Sequence, residues 1–191
     1  MRIGSLLALL LLTASAAFSA PAVRARSYFI HGVKSAEDVD AITAAIKALP
    51  SVTEVSYLTP KSGVVSVRFD THVISHGQVA YAIMSARPGH TYDVRMRYRV
   101  PEYTSGDNAK AVDEIMAKQS KLATITCIDR DKGLFEAKIL PFTVDPGKTG
   151  PQGFYASNLL HPIHDPKPKG LGLGFDFIGP DGKPDPLDFG K

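Results

Sequence analysis

The strongest constraint on this chain is the order in which its hydrophobic pattern changes period between Ser27 and Val100. Ala25 to Ile30 reads as a first strand, apolar at Tyr28-Phe29-Ile30. From Ser35 to Leu49 the apolar residues Val39, Ile42, Ala45, Ile46 and Leu49 recur at helical spacing. Ser35 suits a helix N-cap, with Glu37 and Asp38 in the first turn, and the Ser35/Asp38 spacing is that of a capping box. Pro50 stops the helix. Val52 to Leu58 is a second strand, Thr59 to Gly63 a hairpin loop, and Val64 to Asp70 a third strand in which Val65, Val67 and Phe69 share one face. Ser75 opens a second helix, His76 to Ala86, with Val79, Ala82 and Ile83 as its buried stripe. Pro88-Gly89 ends it. Thr91 to Val100 is a fourth strand. Val94, Met96, Tyr98 and Val100 take one face, and Arg95, Arg97 and Arg99 the other.

Strand, helix, strand, strand, helix, strand is the ferredoxin-like βαββαβ order, so an α+β sandwich is expected. In that topology the fourth strand lies at a sheet edge. Residues 101–107 read as a linker. Asn108 to Ser120 reads as a helix, followed by strands at Lys121 to Ile128 and Gly133 to Leu140. This αββ extension is too small to bury a core alone and is expected to pack on the first module. The alternative is a second, incomplete copy of the same fold that shares strand four. About a third of residues 141–191 are Pro or Gly, the composition of an extended tail partly wrapped on the body. Leu171 to Ile178 alternates and suits a strand, with a turn at Gly179 to Gly182. The expected divisions are 1–22, 23–100, 101–140 and 141–191.

Residues 1–22 read as a secretory signal peptide. Met1-Arg2 is a positive start, Leu6 to Leu12 a short leucine run, and the following residues are small. The run is too short to span a bilayer, so no stable membrane insertion is expected after its removal. The expected location is periplasmic or secreted. Export permits disulfides, yet Cys127 is the single cysteine, so no internal bridge can form. It reads as a small buried hydrophobe, with a reactive or metal-binding thiol as the sharper alternative. Residues 21–100 hold ten Lys/Arg and six Asp/Glu, an excess of four that points to an anionic partner. The excess is too small for nucleic acid.

Residues 27–100 resemble the heavy-metal-associated (HMA) domain family. The family's loop reads Gly-Met-x-Cys-x-x-Cys and opens the first helix. The corresponding positions here hold Gly32, Val33, Lys34, Ser35, Ala36, Glu37 and Asp38. Leu49-Pro50-Ser51-Val52-Thr53-Glu54-Val55 looks like the family's helix-to-strand turn, and Gly63 to Asp70 like its third strand. The resemblance implies the ferredoxin-like fold and, in the family, a soft metal ion. Both thiolates are missing, with Ser35 and Asp38 in their places. A serine hydroxyl is a poor ligand, and one hard carboxylate cannot satisfy Ca or Mg. The expectation is a metal loop exchanged for a well-capped helix start.

Other candidates are few. His31 stands beside the loop and, with Asp38, offers two metal ligands. His161 and His164 form the densest ligand cluster and suit Cu or Zn, although Pro162 is expected to prevent a helix that would align them. His72 and His76 straddle a helix cap and do not share a face. Arg95, Arg97 and Arg99, with Arg68 expected beside them, form a ladder suited to an anion or acidic partner, or to guarding an edge strand. The acidic stretch Asp185 to Asp188 is a candidate cover for it. No nucleophile elbow, phosphate loop or Cys–His pair occurs, so no enzyme activity and no resident cofactor are expected. Two readings follow. One is an exported, non-catalytic HMA-like module acting through protein or anion contacts. The other is a metal-handling protein using His31/Asp38 or His161/His164.

Overall fold

The computed structural model describes residues 23–104 and 106–185. The leader at 1–22 lies outside the described residues, as do Pro186 to Asp188 of the acidic stretch. The elements are β1 (Val23–His31), α1 (Ala36–Lys47), β2 (Glu54–Ser56), β3 (Val64–Asp70), α2 (His76–Met84), β4 (Asp93–Arg99), α3 (Gly106–Ala117), β5 (Ala123–Asp129), β6 (Leu134–Ile139), α4 (Ser157–His164) and β7 (Asp176–Phe177). A short 3-10 turn, Pro101–Thr104, joins β4 to α3. The fold is α+β, with every strand in one antiparallel sheet of order β2-β3-β1-β4-β6-β5, and β7 also on β4.

The same topology occurs twice. Elements β1-α1-β2-β3-α2-β4 give the strand order β2-β3-β1-β4. Elements β4-α3-β5-β6-α4-β7 give β5-β6-β4-β7, the same order with β4 in the place of β1. Strand β4 is thus the last strand of one unit and the first of the next. Its two ends divide the work along one edge: Asp93 to Arg95 pair with β1, and Tyr98 and Arg99 pair with β7. The sequence expectation of an edge position for β4 is therefore corrected. The β5–β6 hairpin closes its other side through Arg95–Lys138 to Arg99–Leu134.

The pattern dictates the core. Tyr28, Ile30, Val65, Val67, Phe69, Val94, Met96, Tyr98 and Val100 alternate toward the helices, which return Ile42, Ile46, Val79 and Ile83. Tyr98 stacks between Phe135 and Phe175, with centroids at 5.4 and 5.1 Å. Phe154, Leu159, Ile163, Phe175 and Phe177 lie in the same cluster, so the segment after residue 140 is part of the core and not only a wrapping.

Helix α4 corrects a second expectation. Pro162 lies inside it. Proline removes one backbone donor, whose usual acceptor is the carbonyl four residues earlier. That residue, Asn158, is exposed and lies in the first turn of the helix. Leu171 and Leu173 amides then bind the carbonyls of Pro162 and Ile163, both at 2.9 Å, and close the helix end. Among the described residues no helix is long and apolar enough to cross a membrane.

Candidate functional site

Three places hold the candidate residues: the loop before α1, the outer face of β4, and a cleft between α2 and α4. In the loop, Gly32 has φ +103°, and a Cβ there would collide with the Thr91 carbonyl. This lets the end of β1 run close beside the loop leading into β4. Ser35 caps α1 with the capping box complete: Asp38 N–H donates to Ser35 Oγ at 3.3 Å, and Ser35 N–H donates to Asp38 Oδ2 at 3.2 Å.

Asp38 does far more than cap. Its side chain is 1% exposed. Oδ2 also accepts from the Lys34 amide at 2.9 Å. Oδ1 faces the loop between α2 and β4, where Arg87 Nη1 lies at 2.8 Å, Tyr92 Oη at 2.7 Å and His90 Nδ1 at 3.2 Å. The hydrogen bond from Tyr92, followed by that from the Lys34 amide, holds the carboxyl below the usual carboxylate range against its burial, with Arg87 and His90 adding to the effect. Burial, and then Asp38 itself, pushes the Tyr92 phenol up to about 12. The carboxylate is saturated with donors, and an incoming cation would have to displace a guanidinium. The imidazole that reaches it is that of His90. His31, paired with it in the sequence reading, sits exposed at the end of β1, in register with Asp93.

On the outer face, Arg95 Nη1 lies 2.6 Å and Arg97 Nε 3.0 Å from the two oxygens of Glu136 on β6. Arg99 lies 2.7 Å from Asp176 on β7. Asp93 bridges Arg95 and Lys138. Burial alone would raise the Glu136 carboxyl, but the hydrogen bonds from Arg95 and Arg97 outweigh it and hold the group below its usual range. Arg97 also lies over the Phe29 ring, 4.2 Å from its centroid. Each guanidinium of the ladder has a carboxylate within the chain. Arg68 is not beside them: β1 separates β3 from β4, and Arg68 pairs with Glu54 at 3.3 Å. Nor does Asp185 cover the ladder, since both its oxygens bind Ser27.

His161 and His164 lie in the last turn of α4, each engaged separately. His161 Nδ1 is 3.3 Å from Asp165 Oδ1, and His164 Nδ1 is 3.1 Å from the Leu173 carbonyl. Among the described residues no three His, Cys, Asp or Glu side chains converge as a metal site would require. Cys127 is half-buried on β5, and burial pushes its thiol up, away from thiolate reactivity.

The cleft was not singled out from the sequence. It measures about 250 Å³ and is lined by Arg24 and Arg26 of β1, Thr71, His72 and His76 at the start of α2, Tyr155 to Ser157, Leu160 and His161 of α4, and Phe177 of β7. The signal was legible: Arg24 and Arg26 alternate with Tyr28 and Ile30, so they share the helix-facing side of β1. Arginines at such positions need a reason.

No family model matches the chain, and no curated protein is similar to it in sequence. Among solved structures it is similar to one described as the water-soluble region of the P-type ATPase CopA from Bacillus subtilis. The identity is 12%, the match covers 82% of this chain and 92% of that one, and the TM-score is 0.38.

Proposed function

We propose that this chain is an exported, non-catalytic binding module built from two overlapping ferredoxin-like units of HMA type, in which the metal loop serves as an internal clasp. The observation that carries this is the Asp38 carboxylate. Three side chains from the α2–β4 loop and two amides from the α1 loop all approach it. A group so bound joins two loops and has no lone pair aimed at solvent for a metal. The loop of the second unit, Pro101 to Asp107, likewise contains neither cysteine nor histidine. What the module binds then falls to its other surfaces, through protein or anion contacts.

The test is titration of the full chain with Cu(I) and with Zn(II) under reducing conditions. The expected result is no binding tighter than about micromolar. Submicromolar uptake that is lost in His31→Ala or Asp38→Asn would overturn the reading. Submicromolar uptake lost in His161→Ala with His164→Ala would favour the metal-handling alternative.

A further inference from the structure

We infer that the cleft between α2 and α4 binds a small oxyanion, a phosphate or carboxylate group. The inference rests on the reading of the chain as a binding module and gives that module a ligand class. Three independent features meet there. The first is charge. Arg24 and Arg26 line the space between the helices from the inner face of β1, with Arg24 Nη1 donating to the Val23 carbonyl at 3.2 Å, and none of the lining residues is acidic. Arg26 is 4% exposed, donates to the Ala25 carbonyl and lies 4.2 Å over the Phe177 ring, which fixes the plane of its guanidinium.

The second feature is His76. It is 3% exposed, and its ring stacks on Phe177. Nδ1 accepts from the Ala156 amide at 3.4 Å, so the neutral ring carries its proton on Nε2. That nitrogen is buried with no hydrogen-bond partner among the described residues. A buried donor of this kind is costly unless something accepts from it. The third feature is the start of α4. The helix has eight residues and no side-chain cap, and Ala156 and Ser157 at its N-terminus both line the cleft. The corresponding helix of the first unit, α2, has a full capping box from Ser75 and Gln78. The Ala156, Asn158 and Leu159 amides are taken by His76 Nδ1 and by the Tyr155 and Ala156 carbonyls, so the Ser157 amide is the one at the cleft without an acceptor among the described residues.

The imidazoles of His72, His76 and His161 suggest a metal at first sight. Two guanidiniums in the same small space repel a cation. Of the acidic groups among the described residues, Asp70 is 3.8 Å from His72, Asp165 is 3.3 Å from His161, and Asp185, bound to Ser27, interacts with the charge of Arg26. The volume is below that of a typical pocket for a drug-sized ligand, so it fits an anionic group with little attached.

The test is calorimetric titration of the full chain with inorganic phosphate, and separately with acetate, at low ionic strength. Saturable one-to-one binding is expected with at least one of them, with a dissociation constant below about 1 mM. Arg24→Ala is expected to weaken it at least about tenfold, and Arg97→Ala on the outer face to leave it unchanged. Should Arg24→Ala fail to fold, Arg24→Lys keeps the charge, loses the fork and is expected to weaken binding as well. No saturable binding up to about 10 mM of either anion, or binding by both Arg24 variants as tight as that of the natural chain, overturns the proposal. So does submicromolar Zn(II) uptake that is lost in His72→Ala. Uptake of Cu(I) at residues 31–38 bears on the module reading alone and leaves the anion result readable by itself.

Discussion

Tyr92 donates its phenolic hydrogen to Asp38 Oδ1 at 2.7 Å, across 54 positions of sequence. The bond joins the loop that begins the first helix to the loop that ends the second. Tyr92→Phe removes one donor from a charged, buried acceptor and is expected to cost about 1–3 kcal/mol, read as a lower urea midpoint with unchanged slope. An unchanged midpoint would show that the clasp carries no stability.

The clasp also has a pH signature at each end. The Asp38 carboxyl is held below its usual range, so its contribution is complete above about pH 4, the ordinary value, and is lost as pH falls further. The Tyr92 phenol is raised from 10.0 to about 12, so its contribution is complete below pH 10.0 and is lost as pH rises toward 12. In Tyr92→Phe the alkaline loss is expected to shrink, which a series of denaturation midpoints above pH 9 would measure.

His76 governs the range between. Burial, and then Arg26, lowers its imidazole from 6.5 to about 3. The unfolded chain takes up a proton below pH 6.5 that the folded chain refuses, so stability is complete above 6.5 and falls below it. The slope approaches about 1.4 kcal/mol per pH unit. His76→Gln keeps an acceptor for Ala156 and has no proton to gain. Its stability is expected to be flatter between pH 6.5 and 4 than that of the natural chain. Parallel curves for the two proteins would remove the buried neutral imidazole from the account.

Glu136 holds two guanidiniums at 2.6 and 3.0 Å with its side chain mostly buried. Glu136→Gln takes from Arg97 its counter-charge and leaves Arg95 with Asp93, at 3.5 Å. The guanidiniums are partly exposed, so solvent screens part of the loss, and the expected cost is about 1–3 kcal/mol. The measurement is the urea midpoint at low salt. Added salt is expected to narrow the gap between variant and natural chain.

Ending the chain after Leu140 would strip Phe154, Leu159, Ile163, Phe175 and Phe177 from the core. The shortened protein is expected to lose its cooperative unfolding transition and to bind hydrophobic dyes. A sharp transition retained in the truncated chain would show that the first unit folds without the second.

What could be read in the sequence was what is local. Ser35 and Asp38 are three positions apart, so the capping box is visible in the sequence. The other partners of Asp38 lie about fifty positions on, where Arg87, His90 and Tyr92 share no pattern with the loop. The place of β4 inside the sheet depends on the docking of the β5–β6 hairpin, which the sequence reading carried only in its alternative of a second copy sharing strand four. Helix α4 hides behind Pro162, whose missing donor falls opposite the exposed residue Asn158. The cleft was within reach. Starting the first strand at Ala25 stops one residue short of Arg24, and with it goes the alternation that turns both arginines inward.

Ser27 meets Asp185 through both its amide, at 3.0 Å, and its hydroxyl, at 3.2 Å, over a separation of 158 residues. A chain that leaves the ribosome or a translocation pore from its N-terminus forward cannot seal its first strand until that aspartate has followed. Assembly therefore waits on nearly the whole length, and contacts closed over so long a loop form slowly. During that wait the Ser27 amide and hydroxyl lack the carboxylate that will take them.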